Sequence, residues 1–398
     1  MQSVVNCFGK KMLHKFQKKR NKRYHEETWL QIVMDIFGMT NHKQFPASQL
    51  FIRSFCSASG FLVHASFIYS AAAFILHNGP FSTKRTIPDA ISVVLTVIIW
   101  HQIHLQFNKF HVFYSYLTNV PKNRLQFTGK EKRIINAIVF IAFSLPVIFS
   151  APMVLSSYKS RSEDYIRFWL LGHSFINQKE LESLLLFICM LLYFSSKLLI
   201  PSLSAILYAT FSYKLSKSIR LQSEIMKSNV RSHPFSVEIE MYYRILDCCK
   251  LFNNYSKVTV LLLICHFCNI LYTGLSLALR TKTSAPENAM AIESVLAIVT
   301  STSVVAGLFS FASGIPTAMA EIRTEFRQLY HQIILDDRSI ALKNFVMLKA
   351  LGDTEPFYLT AWDLFRIDKS LILTIFGTTL SFCILILQLK RVDLDSMK

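Results

Sequence analysis

A chain of 398 residues that is 52% hydrophobic and only 17% charged lacks the balance of a soluble globular domain. Its net charge of +18 has two candidate sources, a nucleic-acid surface or the basic loops of a membrane protein, and the placement of the charges separates them. No Walker A loop, G-x-S-x-G elbow, H-E-x-x-H pair or dinucleotide fingerprint occurs, so no enzyme activity and no cofactor is expected.

The N-terminal segment, 1–54, is basic from Lys10 to Arg23 and has no apolar stretch behind that charge, unlike a cleavable signal peptide. It is expected to meet the anionic lipid of the inner leaflet. Seven apolar stretches follow, at about 55–77, 88–107, 134–156, 183–211, 255–280, 288–314 and 370–390. Each approaches the roughly 20 residues that carry a helix across the hydrocarbon. The first is the weakest. The fourth is long for one crossing and holds Lys197 and Pro201, so it is expected to project beyond the membrane.

Two polar stretches have helical periodicity. In MAEIRTEFRQLYHQIILDD, Ile322, Phe326, Leu329 and Ile333 recur on one face of a 3.6-period helix. EIEMYYRILDCCKLFNNYSKV, 238–258, behaves alike and runs into the fifth stretch. Spans 4 to 7 are therefore expected to continue as cytosolic helices that pack into an anchor, with 315–369 as its helical segment. Loose amphipathic linkers are the alternative.

Lys and Arg in the N-terminal segment and the 2–3, 4–5 and 6–7 loops outnumber those on the opposite side by about three to one. The expected architecture is an all-α integral membrane protein with seven transmembrane helices, a cytoplasmic N-terminus and an extracellular C-terminus, ending in a short outer tail at 391–398. This orientation is opposite to that of a G-protein-coupled receptor, and it explains the charge without nucleic acid. The sequon Asn254-Tyr255-Ser256 falls on the cytoplasmic side, where it would not be glycosylated. The eight cysteines avoid the predicted outer loops, so no disulfide framework is expected. Cys265-His266-Phe267-Cys268 is a single C-x-x-C-like pair and is better explained by packing than by metal ligation. His101 and His104 are discounted likewise. Lys197, inside the fourth span, needs an acidic partner or must snorkel to an interface.

The last span carries a pattern of its own. Steps of four and three from Ser370 reach Thr374, Thr378, Ser381, Leu385 and Gln388, a polar stripe interrupted by one leucine. On spacing alone the stripe fits helix–helix packing, with Gly377 allowing close approach. It also fits a pore made by several copies, with Leu385 as a dewetting constriction and Gln388 rimming the outer mouth.

SFCILILQL, 381–389, resembles the TYhhhhhQF signature that closes insect gustatory and odorant receptors. Ser381 stands for the family's Thr, Phe382 for its Tyr and Leu389 for its Phe, while Gln388 and the apolar run 383–387 are retained. PFYLTAWDLFRIDKSLILTIFG, 356–377, resembles the short cytosolic helix and linker before that family's last span. The resemblance implies a divergent gustatory-type receptor, a ligand-gated non-selective cation channel in the cell membrane of sensory neurons. It implies a homo- or hetero-tetramer with Thr374, Thr378, Ser381, Leu385 and Gln388 lining the pore, Leu385 as its gate, and a small-molecule tastant as ligand.

The resemblance also places a ligand pocket among the outer halves of spans 2 to 6. The inward candidates there are Phe149, Ser150 and Met153, then Phe187, Met190 and Tyr193, with Asn269, Tyr272, Glu293 and Ser294 on the later spans. Ordinary bundle packing explains the same residues. A seven-span receptor that signals through a cytosolic partner without a pore is the alternative function. A transporter would show inverted repeats and paired broken helices, which are not found.

Overall fold

The computed structural model describes residues 46–76, 83–106, 127–160, 179–229, 235–278, 287–335 and 342–396, with Val33, Phe37, Phe113, Ile166 and 169–171. The basic segment from Lys10 to Arg23 lies outside the described residues.

The chain is built from helices. In order these are α1 (Pro46–Leu76), α2 (Thr83–Leu105), α3 (Gly129–Ser160), α4 (Lys179–Phe194), a π-turn (Ser195–Leu199), α5 (Ile200–Asn229), α6 (Phe235–Ala278), α7 (Glu287–Ala312), α8 (Gly314–Leu335), α9 (Leu342–Asp353) and α10 (Ser370–Ser396). A two-stranded ladder, β1 (Thr360–Ala361) and β2 (Phe365–Arg366), precedes α10. Among the described residues, five helical units are long and apolar enough to cross a membrane: Ile87–Leu105, Gly129–Ser157, Lys179–Ser228, Val237–Ala278 and Ala291–Gln332. The described apolar part of α10, Ser370–Phe382, is shorter. These are the proportions of a multi-pass membrane protein.

The start of α3 shows how local sequence sets an element. Thr128 and Glu131 form a capping box: the Thr128 hydroxyl accepts from the Glu131 amide at 3.3 Å, and the Thr128 amide donates to the Glu131 carboxylate at 2.6 Å. The same carboxylate takes the Lys217 ammonium at 2.7 Å and the Tyr213 hydroxyl, which ties α3 to α5. α6 is the hub, packed against α2, α5 and α7 and touching α9, β1 and α10. At 44 residues it is about 66 Å long, twice the hydrocarbon thickness of about 30 Å. The fourth apolar stretch runs through the π-turn into α5 and the fifth lies within α6, so both belong to helical runs longer than a bilayer is thick.

The ends of α5, α6 and α8 that lie beyond the apolar stretches pack together with α9. Arg220 of α5 holds Glu321 of α8 with two nitrogens, at 3.1 and 3.2 Å, and Ser223 donates to Glu325 at 2.9 Å. Arg323 and Arg327 both donate to the Gly352 carbonyl, at 3.2 and 2.8 Å, and so cap the last turn of α9. Between α7 and α8 the helix is interrupted at Ser313, ahead of Pro316, and the Gly314 carbonyl accepts from Ser216 at 2.9 Å.

Within the segment expected as 315–369, the described helices are Gly314–Leu335 and Leu342–Asp353. Instead of a short helix, the 356–369 stretch forms the ladder, with Thr360 opposite Arg366 and Ala361 opposite Phe365. Pro356 cannot continue a helix, and α6 supplies the hydrogen bonds that an irregular segment needs. The Thr360 amide donates to Asn253 Oδ1 at 2.8 Å, and the Trp362 amide to the Lys257 carbonyl at 3.0 Å. Trp362 and Asp363 make the turn at φ of 49° and 59°, conformations that non-glycine residues hold only when neighbours enforce them. Asp368 then caps α10, its Oδ1 accepting from the Leu371 amide at 3.1 Å and the Ser370 hydroxyl at 2.6 Å. At the far end α10 runs on to Ser396, so the 391–398 tail begins as helix.

Lys257 donates to the Asp363 carboxylate, which holds that carboxyl below its ordinary value of 3.8. A depressed folded-state value means that the contact stabilises the fold at neutral pH and is lost as pH falls through the lowered value. The stability advantage of the wild type over Asp363→Asn is therefore expected to be present at pH 7 and to shrink below 3.8. Thermal unfolding of the two proteins in detergent, run across that range, measures it; an advantage that grows on acidification would contradict the assignment.

Candidate functional site

Two features stand out along the apolar helices: a polar knot buried between them, and the uncovered face of α10.

The knot begins at a proline. Pro201 has no N–H for the carbonyl four residues back, that of Lys197, and the helix passes through the π-turn there. His266 of α6 meets that carbonyl with Nε2 at 2.8 Å. Because the partner is a carbonyl oxygen, Nε2 is the protonated nitrogen. One helical turn on, Asn269 donates to the Pro88 carbonyl and the Ser92 hydroxyl of α2, both at 2.7 Å. The Lys197 ammonium lies 2.5 Å from Asp89 of α2, with side chains only 5% and 13% exposed, and 5.2 Å from the centre of the Tyr193 ring. Lys197 thus has its acidic partner and does not snorkel. Asp89 is the member that sequence reading missed; its one signal was an acidic residue just after Pro88 in an apolar stretch.

The ten residues expected around a ligand do not share one wall. Phe149, Ser150, Met153, Met190, Tyr193, Glu293 and Ser294 are buried, and Phe187, Asn269 and Tyr272 are half-buried. Phe149 and Tyr193 converge on Phe194, each at 5.2 Å between ring centres. Trp169, which the sequence did not single out, meets Tyr193 edge-on at 4.9 Å and stacks near Tyr69, whose hydroxyl donates to the Trp169 carbonyl. Ser150 donates to the Pro146 carbonyl of its own helix at 2.6 Å. Asn269 is engaged with α2, as described, whereas Tyr272 meets Phe382 of α10 at 5.9 Å. Ser294 lies at a close approach of α6 and α7: a Cβ on Gly274 would stand 3.1 Å from the Ser294 carbonyl oxygen.

Among its described residues, α10 rests on the bundle through one side. Leu371, Ile372 and Ile375 pack onto the core, while Thr374, Thr378, Ser381, Leu385 and Gln388 are exposed along the opposite side. Four of these five, with Leu373, Gly377 and Phe382, line an open groove of about 550 Å³. Gln388 follows three residues beyond Leu385. A Cβ on Gly377 would meet no atom within 4 Å, so the close approach that this glycine permits is not used within the chain. The Thr378 hydroxyl donates to the Thr374 carbonyl at 2.8 Å and Thr374 to Ser370 at 3.3 Å. Their protons are thereby spent on the helix, and their acceptor lone pairs remain for whatever faces it.

No family model matches the chain, and no curated protein matches it. Its fold is similar to that of the insect olfactory receptor OR5 from Machilis hrabei, with a TM-score of 0.67 at 12% identity over 94% of this chain and 99% of that one. The structure of that receptor in complex with eugenol is similar to the same degree, with a TM-score of 0.67 at 11% identity over 92% of this chain and 99% of that one. The likeness is one of fold, and it spans both chains almost end to end.

Removing one member of the Asp89–Lys197 pair leaves the other charge buried without its opposite charge. Lys197→Met is expected to destabilise by about 3–5 kcal/mol, and Asp89→Leu combined with Lys197→Met to recover most of that loss. Thermal unfolding of the detergent-solubilised variants tests this, and a double variant no better than the single one would show that the pair does not act as a unit.

Proposed function

We propose that the chain is a chemosensory receptor of the gustatory type that acts as a ligand-gated, non-selective cation channel, its pore lined by α10 of four subunits. The carrying observation is the uncovered face of α10: Thr374, Thr378, Ser381, Leu385 and Gln388 in one line, outside the chain's own packing. In hydrocarbon such a face is costly, and it is relieved by facing water or protein. A single helix encloses nothing, so the counterpart is further copies of α10. Threonine oxygens with their lone pairs outward suit a cation. The Leu385 side chains would form the dry constriction and Gln388 the polar ring just beyond it.

On this reading α1, α2, α3, α4–α5, α6, α7–α8 and α10 are seven spans, with the N-terminus cytoplasmic and the C-terminus outside. The polar ends of α5, α6 and α8, with α9 and the hairpin, form the cytosolic anchor through which the subunits associate. The ligand is a small-molecule tastant, taken among the outer ends of the spans near Phe149, Met153, Met190 and Tyr193. That one of the similar structures holds eugenol supports a small-molecule ligand. The receptor would sit in the cell membrane of sensory neurons, as a homotetramer or with related subunits.

Whole-cell currents from the chain, expressed alone and with related subunits, test the pore. Leu385→Ala is expected to raise basal current several-fold, and Gln388→Ala to alter the permeability ratio among cations. Currents that both variants leave unchanged would remove α10 from the pore.

A further inference from the structure

The geometry points to a two-histidine transition-metal site formed by His64 of α1 and His101 of α2, which takes a borderline divalent cation such as Zn²⁺, Cu²⁺ or Ni²⁺. It rests on the contact between these two helices and not on the channel reading.

The two rings meet through their Nε2 atoms, 3.2 Å apart. Two imidazole nitrogens bound to one tetrahedral Zn²⁺, each at 2.0–2.1 Å, stand about 3.3 Å apart, so the separation of the two Nε2 atoms matches that of two ligands on one metal. The tautomers follow from the neighbours. His64 Nδ1 lies 2.7 Å from the Gly60 carbonyl oxygen, which can only accept, so Nδ1 carries the proton and Nε2 presents a bare lone pair. A ring held through its other nitrogen by a backbone carbonyl is the usual outer support of a metal-binding histidine. His101 then bridges to that lone pair with its own Nε2–H. For both nitrogens to face a metal, the His101 proton moves from Nε2 to Nδ1; both rings stay neutral and no proton is released.

The surroundings hold the pair in place. A Cβ on Gly60 would stand 2.8 Å from the Trp100 ring, so the helices meet there at a distance only glycine permits. Trp100 in turn meets His64 and His101 edge-on, at 5.7 and 5.1 Å between ring centres. His104 is committed elsewhere: it stacks on Trp100 at 3.9 Å, and its Nδ1 donates to the Trp100 carbonyl at 2.9 Å. Among the described residues no group of three or more His, Cys, Asp or Glu side chains assembles, so this chain supplies two ligands, and water at the nearby end of α2 would supply the rest. Both rings are exposed at the surface of the chain, and His101 lies one turn, about 6 Å, from Leu105 at the end of α2. Imidazole prefers these metals to Mg²⁺ and Ca²⁺, which seek oxygen.

The test is calorimetric titration of ZnCl₂ into the full-length chain, purified in detergent with an affinity tag that contains no histidine. Because the chain has 12 histidines, the reading is a difference between variants. Wild type and His331→Ala, a change on the distant α8, are expected to share one binding event that both His64→Ala and His101→Ala lose. MgCl₂ is expected to give no such event in any of them. Should an alanine variant fail to elute as a monodisperse species, His64→Gln, which keeps a polar side chain there, takes its place and is likewise expected to lose the event. A wild type that binds no zinc, or zinc binding that survives intact in the His64 and His101 variants, overturns the site.

Discussion

Inside a bilayer no water repairs a missing hydrogen bond, and that constraint organises the centre of this protein. Pro201 withholds a donor from the Lys197 carbonyl, and His266 of α6 supplies one. The turn that exposes this carbonyl also carries the Lys197 side chain to Asp89 of α2. Asn269, on the same face of α6 as His266, completes the link to α2. One irregularity in one helix thus fixes the positions of three helices. Apolar packing alone would resist their rotation and sliding much less, because lipid is as apolar as leucine.

Farther along α6, the same helix controls a second irregular element. Asn253 and Lys257 hold the hairpin between α9 and α10 by its backbone, at Thr360 and Trp362, and Lys257 reaches Asp363 at the turn. The hairpin ends at Asp368, which caps α10. The base of the last helix is therefore fixed to α6, while its described length touches the bundle on one side.

The sequence carried some of this more plainly than the rest. The long helices were legible from Ile322, Phe326 and Leu329, because a helix that leaves the membrane must become amphipathic. The stripe on α10 was legible for the opposite reason: Thr374, Thr378 and Ser381 are the exceptions in an apolar field. Asp89 and Lys197 are 108 residues apart, and nothing local marks them as partners. The hairpin was hidden because its turn uses Trp362 and Asp363 at positive φ, where glycine would have been the signal. The ligand candidates scattered because a span that is apolar all round does not disclose its rotation. Asn269 faces α2 and Tyr272 faces α10, though they are three residues apart.

The contrast between the two polar features bears on what the chain does. Within the bundle, Asp89, Lys197, His266 and Asn269 have partners on neighbouring helices of the same chain, as buried polar groups must. On α10, the threonine hydroxyls find partners only in their own helix, and Gln388 stands exposed. The knot ties neighbouring helices of one chain together, whereas Thr374, Thr378, Ser381 and Gln388 stand exposed along a single helix, and the proposed pore would give that file its counterpart. Water alone would not need the leucine in that file, and a dry packing partner would not need the glutamine. On the proposed pore reading, a water-filled passage with one dry ring accommodates both.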